Sequence, residues 1–180
     1  MDLALLGWPA DGPTLRLDHE RFAYAGKFVM SGTGKAVARE DGDVVAAVAF
    51  DADRTDATVC RLRYVTVRGD RRGERIGPRL LAFVVDRAGD RDFETARIAV
   101  NNPFAFEAAY RVGFAFTGET TGIAELVLDR PTATPAERGP DTYRTGLELF
   151  RDRDLSTAEV RFLDSRAAIG VPPLVEGARE

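Results

Sequence analysis

From Lys35 onward the chain is written in two hydrophobic periods. Lys35 to Glu40 and Val44 to Phe50 are short apolar runs either side of Asp41-Gly42-Asp43, which predicts two strands joined by a hairpin turn. Ala57 to Val67 reads as a third strand, with Leu62, Tyr64 and Thr66 on one face and Arg61, Arg63 and Val65 on the other. The period then changes. Ile76, Leu80 and Val84 recur at helical spacing and Leu81 and Phe83 widen the stripe, so residues 76–88 form an amphipathic helix ended by Gly89-Asp90. Phe93 to Val100 returns to a strand. Asn101-Asn102-Pro103 opens a second helix that runs to Val112 and closes at Gly113. Phe114 to Thr117 and Ile123 to Leu128 make a last hairpin around residues 118–122.

The flanks are less regular. Thr14 to Leu17 reads as a short strand, Phe22 to Met30 is apolar and aromatic, and Ser31-Gly32-Thr33-Gly34 is a turn. After Arg130 the composition shifts to Pro, Thr, Ala and Glu, which predicts a linker over residues 131–140. Asp141 to Arg151 and Thr157 to Ala168 are two short amphipathic helices carrying Leu147, Phe150, Val160 and Leu163, with a loose tail after Gly170. This order predicts an α/β (α+β) domain over residues 1–130 and a C-terminal helical extension over 141–180. The hairpins make most of the sheet antiparallel. The crossover at 76–88 makes the strands that flank it a parallel central pair, with helices flanking the sheet on its faces.

The most informative stretch lies where strand becomes helix, VTVRGDRRGERIG from Val65 to Gly77. A β-branched strand end feeds a turn of Gly and Arg, and a helix begins at Ile76. Such a turn aims backbone N–H groups and a helix N-terminus at one point, which favours an anion, most simply a phosphate. Arg68, Arg71, Arg72, Arg75 and Arg79 add charge there. The Gly-Lys-Ser/Thr ending of a Walker A loop and the GxGxxG of a Rossmann fold are both missing.

Composition narrows the chemistry. The net charge of −4 argues against general affinity for nucleic acid or an anionic membrane. A single cysteine, Cys60, excludes an intrachain disulfide and a thiol-rich metal site, so no metal is predicted. Cys60 lies in a strand and reads as core. The lone histidine, His19, has no GxSxG elbow to serve, and reads as a surface or packing residue. MDLALLGWP lacks the basic start of a signal peptide, and the longest apolar run, Val44 to Phe50, is far short of the roughly 20 residues that span a bilayer. A cytoplasmic protein without membrane association is expected.

Arg72-Gly73-Glu74-Arg75-Ile76-Gly77, in this setting, resembles the pyrophosphate loop of the GNAT superfamily of N-acetyltransferases, whose pattern is Arg/Gln-x-x-Gly-x-Gly/Ala. Arg72 matches the first position and Gly77 the last. Asn102 to Phe114, NPFAFEAAYRVGF, resembles the family's second cofactor-contacting segment, in which an Asn opens a helix that closes in Gly-Phe. The two segments cover about residues 57–128. Two positions depart from the pattern. Arg75 replaces the family's middle Gly, and can serve there at an ordinary φ while adding a charge-assisted phosphate contact. The family's usual Tyr falls on Ala109, with Tyr110 one residue, or about 100°, further round the helix.

The resemblance implies an acetyl-CoA-dependent N-acyltransferase in which a primary amine attacks the thioester directly in a ternary complex. It places the pyrophosphate on the backbone of Gly73, Glu74, Arg75, Ile76 and Gly77 with Arg72 assisting, and pairs the pantetheine with Val65 and Val67, one of whose amides faces the thioester carbonyl. Asn102 and Phe106 are implied to contact the cofactor, and Tyr110 to protonate the departing thiolate. Asn102 is equally an N-cap and Phe106 and Tyr110 equally core packing. Glu119, before the last strand, is the candidate general base, with Glu40 a second. Acetyl-CoA is then the co-substrate. The acceptor is an amine, of a small molecule or of a protein, that the sequence does not identify. The C-terminal helices either cover the acceptor site or form a homodimer contact. Three alternatives stand beside this reading: a catalytically inactive acyl-CoA-binding module on the same fold, a protein-interaction module using the C-terminal helices, and an ATP-binding loop.

Overall fold

The computed structural model describes residues 1–177. Seven strands form one sheet in the order β1-β2-β3-β4-β5-β7-β6. They are β1 (Asp2–Gly7), β2 (Gly34–Glu40), β3 (Asp43–Ala52), β4 (Val59–Val67), β5 (Thr95–Val100), β6 (Ala115–Thr120) and β7 (Leu126–Pro131). Helices α1 (Ile76–Gly89) and α2 (Pro103–Val112) follow β4 and β5, and α3 (Pro140–Leu149) and α4 (Thr157–Arg166) close the chain. Only β4 and β5 pair in parallel, as the intervening helix requires. The Asp41-Gly42 hairpin has both central residues at positive φ, 51° and 88°, the twist that joins adjacent antiparallel strands.

One face of the sheet carries the main core, with Leu80, Leu81, Val84 and Val85 of α1 and Phe106, Ala109 and Val112 of α2 packed on Leu62, Ile98 and Leu128. The other face is covered over β2 to β4 by irregular chain. There Leu15, Leu17 and Phe28 pack on Val37, Ala47 and Ala49.

Three expectations are corrected. Thr14 to Leu17 is not a strand; the first strand is β1. Both faces of β1 are covered, Leu3 and Leu5 by the main core and Ala4 and Leu6 by the second cluster. It therefore shows no polar alternation, while Leu15 joins no ladder and donates one backbone bond to Phe28 O at 2.8 Å. The even alternation assigned to β4 also breaks. Phe50 pairs with Leu62 and Ala49 with Tyr64, so Arg63 is an unpaired bulge. Leu62, Val65 and Val67 therefore face the helices and Tyr64 the opposite cluster.

The third correction concerns the C-terminal third. Tyr143, Leu147, Phe150, Leu163 and Val175 belong to the same core as the sheet, so α3 and α4 are not an appendage. Residues 131–140 are tied down: Ala136 N donates to Gly113 O at 2.8 Å, and Arg138 Nη1 to Tyr110 O and Pro172 O at 2.9 Å each. The expected loose tail is anchored through Val175 N, which donates to Arg111 O at 2.8 Å; residues 178–180 lie outside the described residues. Among the described residues no helix is long and apolar enough to cross a membrane, and no group of three or more His, Cys, Asp or Glu side chains could hold a metal ion.

Candidate functional site

The parallel pairing of β4 and β5 runs from Val59↔Thr95 to Leu62↔Ile98 and stops. The Arg63 bulge follows at once and bends β4 away from its neighbour. Beyond it, Tyr64 to Val67 stay paired with β3 alone. Arg68 N donates back to Val45 O at 2.8 Å, so by alternation the N–H and C=O groups of Val65 and Val67 point the other way, into the gap between the strands. Thr66 lies between them with its buried Oγ1 lacking a hydrogen-bond partner.

That gap opens into a cleft of about 790 Å³. One wall is the phosphate turn and the start of α1. Gly73 has φ 84° and Arg75 φ 59°, both left-handed, so Arg75 does not have the ordinary φ expected of it and occupies the conformation a glycine would take without strain. Arg75 is the N-cap of α1 and makes no side-chain cap, and Pro78 supplies no N–H. The amides of the first turn have no intrahelical acceptor, and those of Ile76 and Gly77 stand at the cleft. The absence of a cap therefore leaves the positive end of the helix for a ligand. Gly77 lets this turn approach β4: a Cβ there would lie 3.3 Å from Val67 Cγ2.

The arginines divide. Arg68 is paired with Asp70 at 2.6 Å, and Arg71 donates to Glu40 and, at 2.7 and 2.9 Å, to Glu74. That pairing holds the Glu40 carboxyl below its ordinary range, chiefly through the Arg71 hydrogen bond. Among the described residues Arg72, Arg75 and Arg79 form no ion pair, and Arg72 and Arg75 line the cleft.

The second wall is α2. Asn102 caps it, accepting from Ala105 N at 2.9 Å, with Pro103 in the first turn. The helix faces the cleft with Phe104, Ala105, Glu107, Ala108 and Arg111. Ser156, Glu159 and Phe162 of the last helical segment complete the lining.

The structure thus gathers Val65, Val67, Arg72, Gly73, Arg75, Ile76, Gly77 and Asn102 around one cleft. Glu74 lies in the same turn, its carboxylate taken by Arg71. Phe106 does not join them: it is 0% exposed and packs among Tyr110, Phe116, Tyr143 and Phe150. Nor does Tyr110. It too is 0% exposed, and its hydroxyl accepts from Phe116 N at 3.0 Å. Burial raises its pKa above the ordinary phenol range, so the group is a poorer proton donor as well as an unreachable one. Ala109, where the family pattern places its tyrosine, is also 0% exposed and packed in the core, while the cleft side of α2 carries Ala105, Ala108 and Arg111. Tyr110→Phe is therefore expected to cost stability, about 1–3 kcal/mol from the orphaned amide of Phe116, and to leave the affinity of the folded protein for acetyl-CoA unchanged. Thermal melts and titrations separate the two.

Glu119 is exposed at the end of β6 and lines no part of the cleft. It lies near Arg97, on the opposite face from α1 and α2. Cys60 is buried and its thiol is pushed up to about 12, which removes it as a nucleophile.

Sequence reasoning missed Glu107. Its side chain is only 7% exposed and accepts from Arg111 at 2.8 Å and from Arg166 Nη2 at 3.1 Å. Burial pushes its pKa up, but the two guanidiniums outweigh this and hold it below the ordinary range. The spacing to Arg111 was the available signal. A depressed carboxylate stabilises the fold above its unfolded pKa of about 4.3, and the contribution is lost as pH falls through the lower folded value. Melting temperature should then fall below about pH 4 in the native chain and less steeply in Glu107→Gln.

A profile of the acetyltransferase (GNAT) family matches residues 3–114. No curated protein matches the chain. Among solved structures, nourseothricin acetyltransferase is similar at 21% identity and a TM-score of 0.50, over 56% of this chain and 65% of its own. This chain therefore spans under two thirds of that relative's length. An N-acetyltransferase from Staphylococcus aureus Mu50 is similar at 16% identity and a TM-score of 0.50, over 56% of this chain and 68% of its own. The yncA protein of Salmonella typhimurium, solved with its cofactor acetyl-CoA, is similar at 16% identity and a TM-score of 0.51, over 60% of this chain and 69% of its own. These likenesses share the fold described above, and the profile spans the sheet from β1 to β5 with α1 and α2: the chain belongs to the acetyltransferase (GNAT) family.

Proposed function

We propose that the protein transfers an acetyl group from acetyl-CoA to a primary amine by direct attack in a ternary complex. The observation that carries this reading is the unpaired edge of β4 at Val65 and Val67, facing the same cleft as the uncapped start of α1. An extended pantetheine arm carries amides that an unpaired strand edge can bond as an added strand. A diphosphate suits the amides of Ile76 and Gly77 and the free charges of Arg72 and Arg75. Acetyl-CoA supplies an activated thioester. The chain's own part is to hold it along β4, turn one β4 amide toward its carbonyl oxygen and exclude water from the gap.

Among the described residues, both carboxylates lining the cleft are engaged, Glu107 by two arginines and Glu159 by the amide of Ser156, which leaves neither free to take the proton of the amine. Positioning therefore carries the acceleration, with the amine entering as free base. The test is release of free CoA thiol from acetyl-CoA with a panel of small amines and peptide N-termini, with the product identified by mass. Turnover with at least one amine supports the reading. Binding of acetyl-CoA with no turnover on any amine favours the second reading, an inactive acyl-CoA-binding module, which the burial of Tyr110 motivates.

A further inference from the structure

The diphosphate and the pantetheine have partners in the cleft, but the purine of the nucleotide does not. The cleft continues past Asn102 between α2 and α4, where Phe104 and Phe162 line it. Phe104 is 45% exposed, unusual for a large apolar side chain on a helix with an available core face. It is also held in place. Its ring lies 4.7 Å from that of Phe162, tilted by 56°. The guanidinium of Arg166 sits 4.4 Å over the Phe162 ring, and Glu107 fixes Arg166. A relay of contacts thus runs from a buried carboxylate out to an exposed aromatic ring in the cleft. The neighbouring Ala105 and Ala108 keep the surface beside it low.

We infer that Phe104, braced by Phe162, is a stacking platform for the adenine ring of the CoA nucleotide, so that α4 completes the cofactor site; this rests on the acetyl-CoA reading above. A ring already fixed in orientation loses little freedom when a base stacks on it, and a purine offers a π-face of matching size. The family profile ends at residue 114, so this brace is built from chain beyond it.

The test compares acetyl-CoA with S-acetyl-4′-phosphopantetheine, which has the same reacting arm and no adenosine. Both are titrated calorimetrically into the native chain, Phe104→Ala, Phe104→Trp and Phe162→Leu. Phe104 is exposed, so its replacement leaves no cavity, and a thermal melt checks each fold. Phe104→Ala is expected to weaken acetyl-CoA about tenfold and leave the truncated ligand unchanged within about twofold. Phe104→Trp is expected to retain acetyl-CoA, and Phe162→Leu to lose part of the affinity. If the native chain binds both ligands and Phe104→Ala binds acetyl-CoA as well as before, or loses both ligands equally, the platform is overturned while the cofactor reading stands. If the native chain binds no acetyl-CoA at millimolar concentration, both fall.

Discussion

Gly77→Asp is expected to lower acetyl-CoA affinity by about 100-fold or more and leave the protein folded. Gly77 is in the first turn of α1, where the amides are uncapped. A side chain there leaves the helix toward Val67, into the gap between helix start and strand edge. Its carboxylate would accept the hydrogen bonds meant for the diphosphate and would repel it. An acidic residue in a first helical turn favours the helix, so the expected loss is one of binding. Gly77→Ala is the control. It needs Val67 to yield by only a few tenths of an ångström and should lose far less. Calorimetry with acetyl-CoA, and with ATP as the competing phosphate ligand, reads the effect. Equal acetyl-CoA affinity in the native and Asp forms would remove the α1 start from the site, and ATP binding in its place would favour the nucleotide-loop alternative.

Phe106→Ala is expected to be the most destabilising single change on α2, costing about 3–5 kcal/mol. The ring contacts four other aromatics, from α2, β6, α3 and the turn after α3. It fills the space above Gly146, where a Cβ would come within 2.3 Å of it. Losing it opens a cavity at the junction of sheet, α2 and α3. At roughly 2–4 °C per kcal/mol, the melting temperature should fall by about 10 °C. The melt should remain a single transition, because the C-terminal helices share this core. Two transitions, or a shift of about 2 °C, would return α3 and α4 to the status of a separate unit. The same variant tests whether Phe106 contacts the cofactor: binding by the folded fraction should persist.

The elements that came through clearly in the sequence are those whose period their own neighbourhood determines. Residues 76–88 and 103–112 are helices because one stripe of each meets the sheet, and the caps at Asn102 and Gly113 are local chemistry. The Asp41-Gly42 hairpin is local too. The bulge at Arg63 is not: it arises from register with β3, and no residue type announces it. Yet it opens the gap at Val65 and Val67. Positive φ at Arg75 was equally hidden, since arginine is not a residue that signals it. The resemblance implies Tyr110 as the proton donor, but it lies four residues after Phe106 on the same helix face, and that face packs into the core. Docking of α3 depends on a pairwise fit, Gly146 under Phe106, which helical periodicity does not encode.

The central claim is that acetyl-CoA lies along the unpaired edge of β4 and on the start of α1. Amide hydrogen exchange, read with and without saturating acetyl-CoA, tests it most directly. The account predicts slowed exchange at Val65, Val67, Ile76 and Gly77, and unchanged exchange across β1 and β2. Saturation with no slowing at these amides, or slowing confined to another face of the sheet, would contradict it.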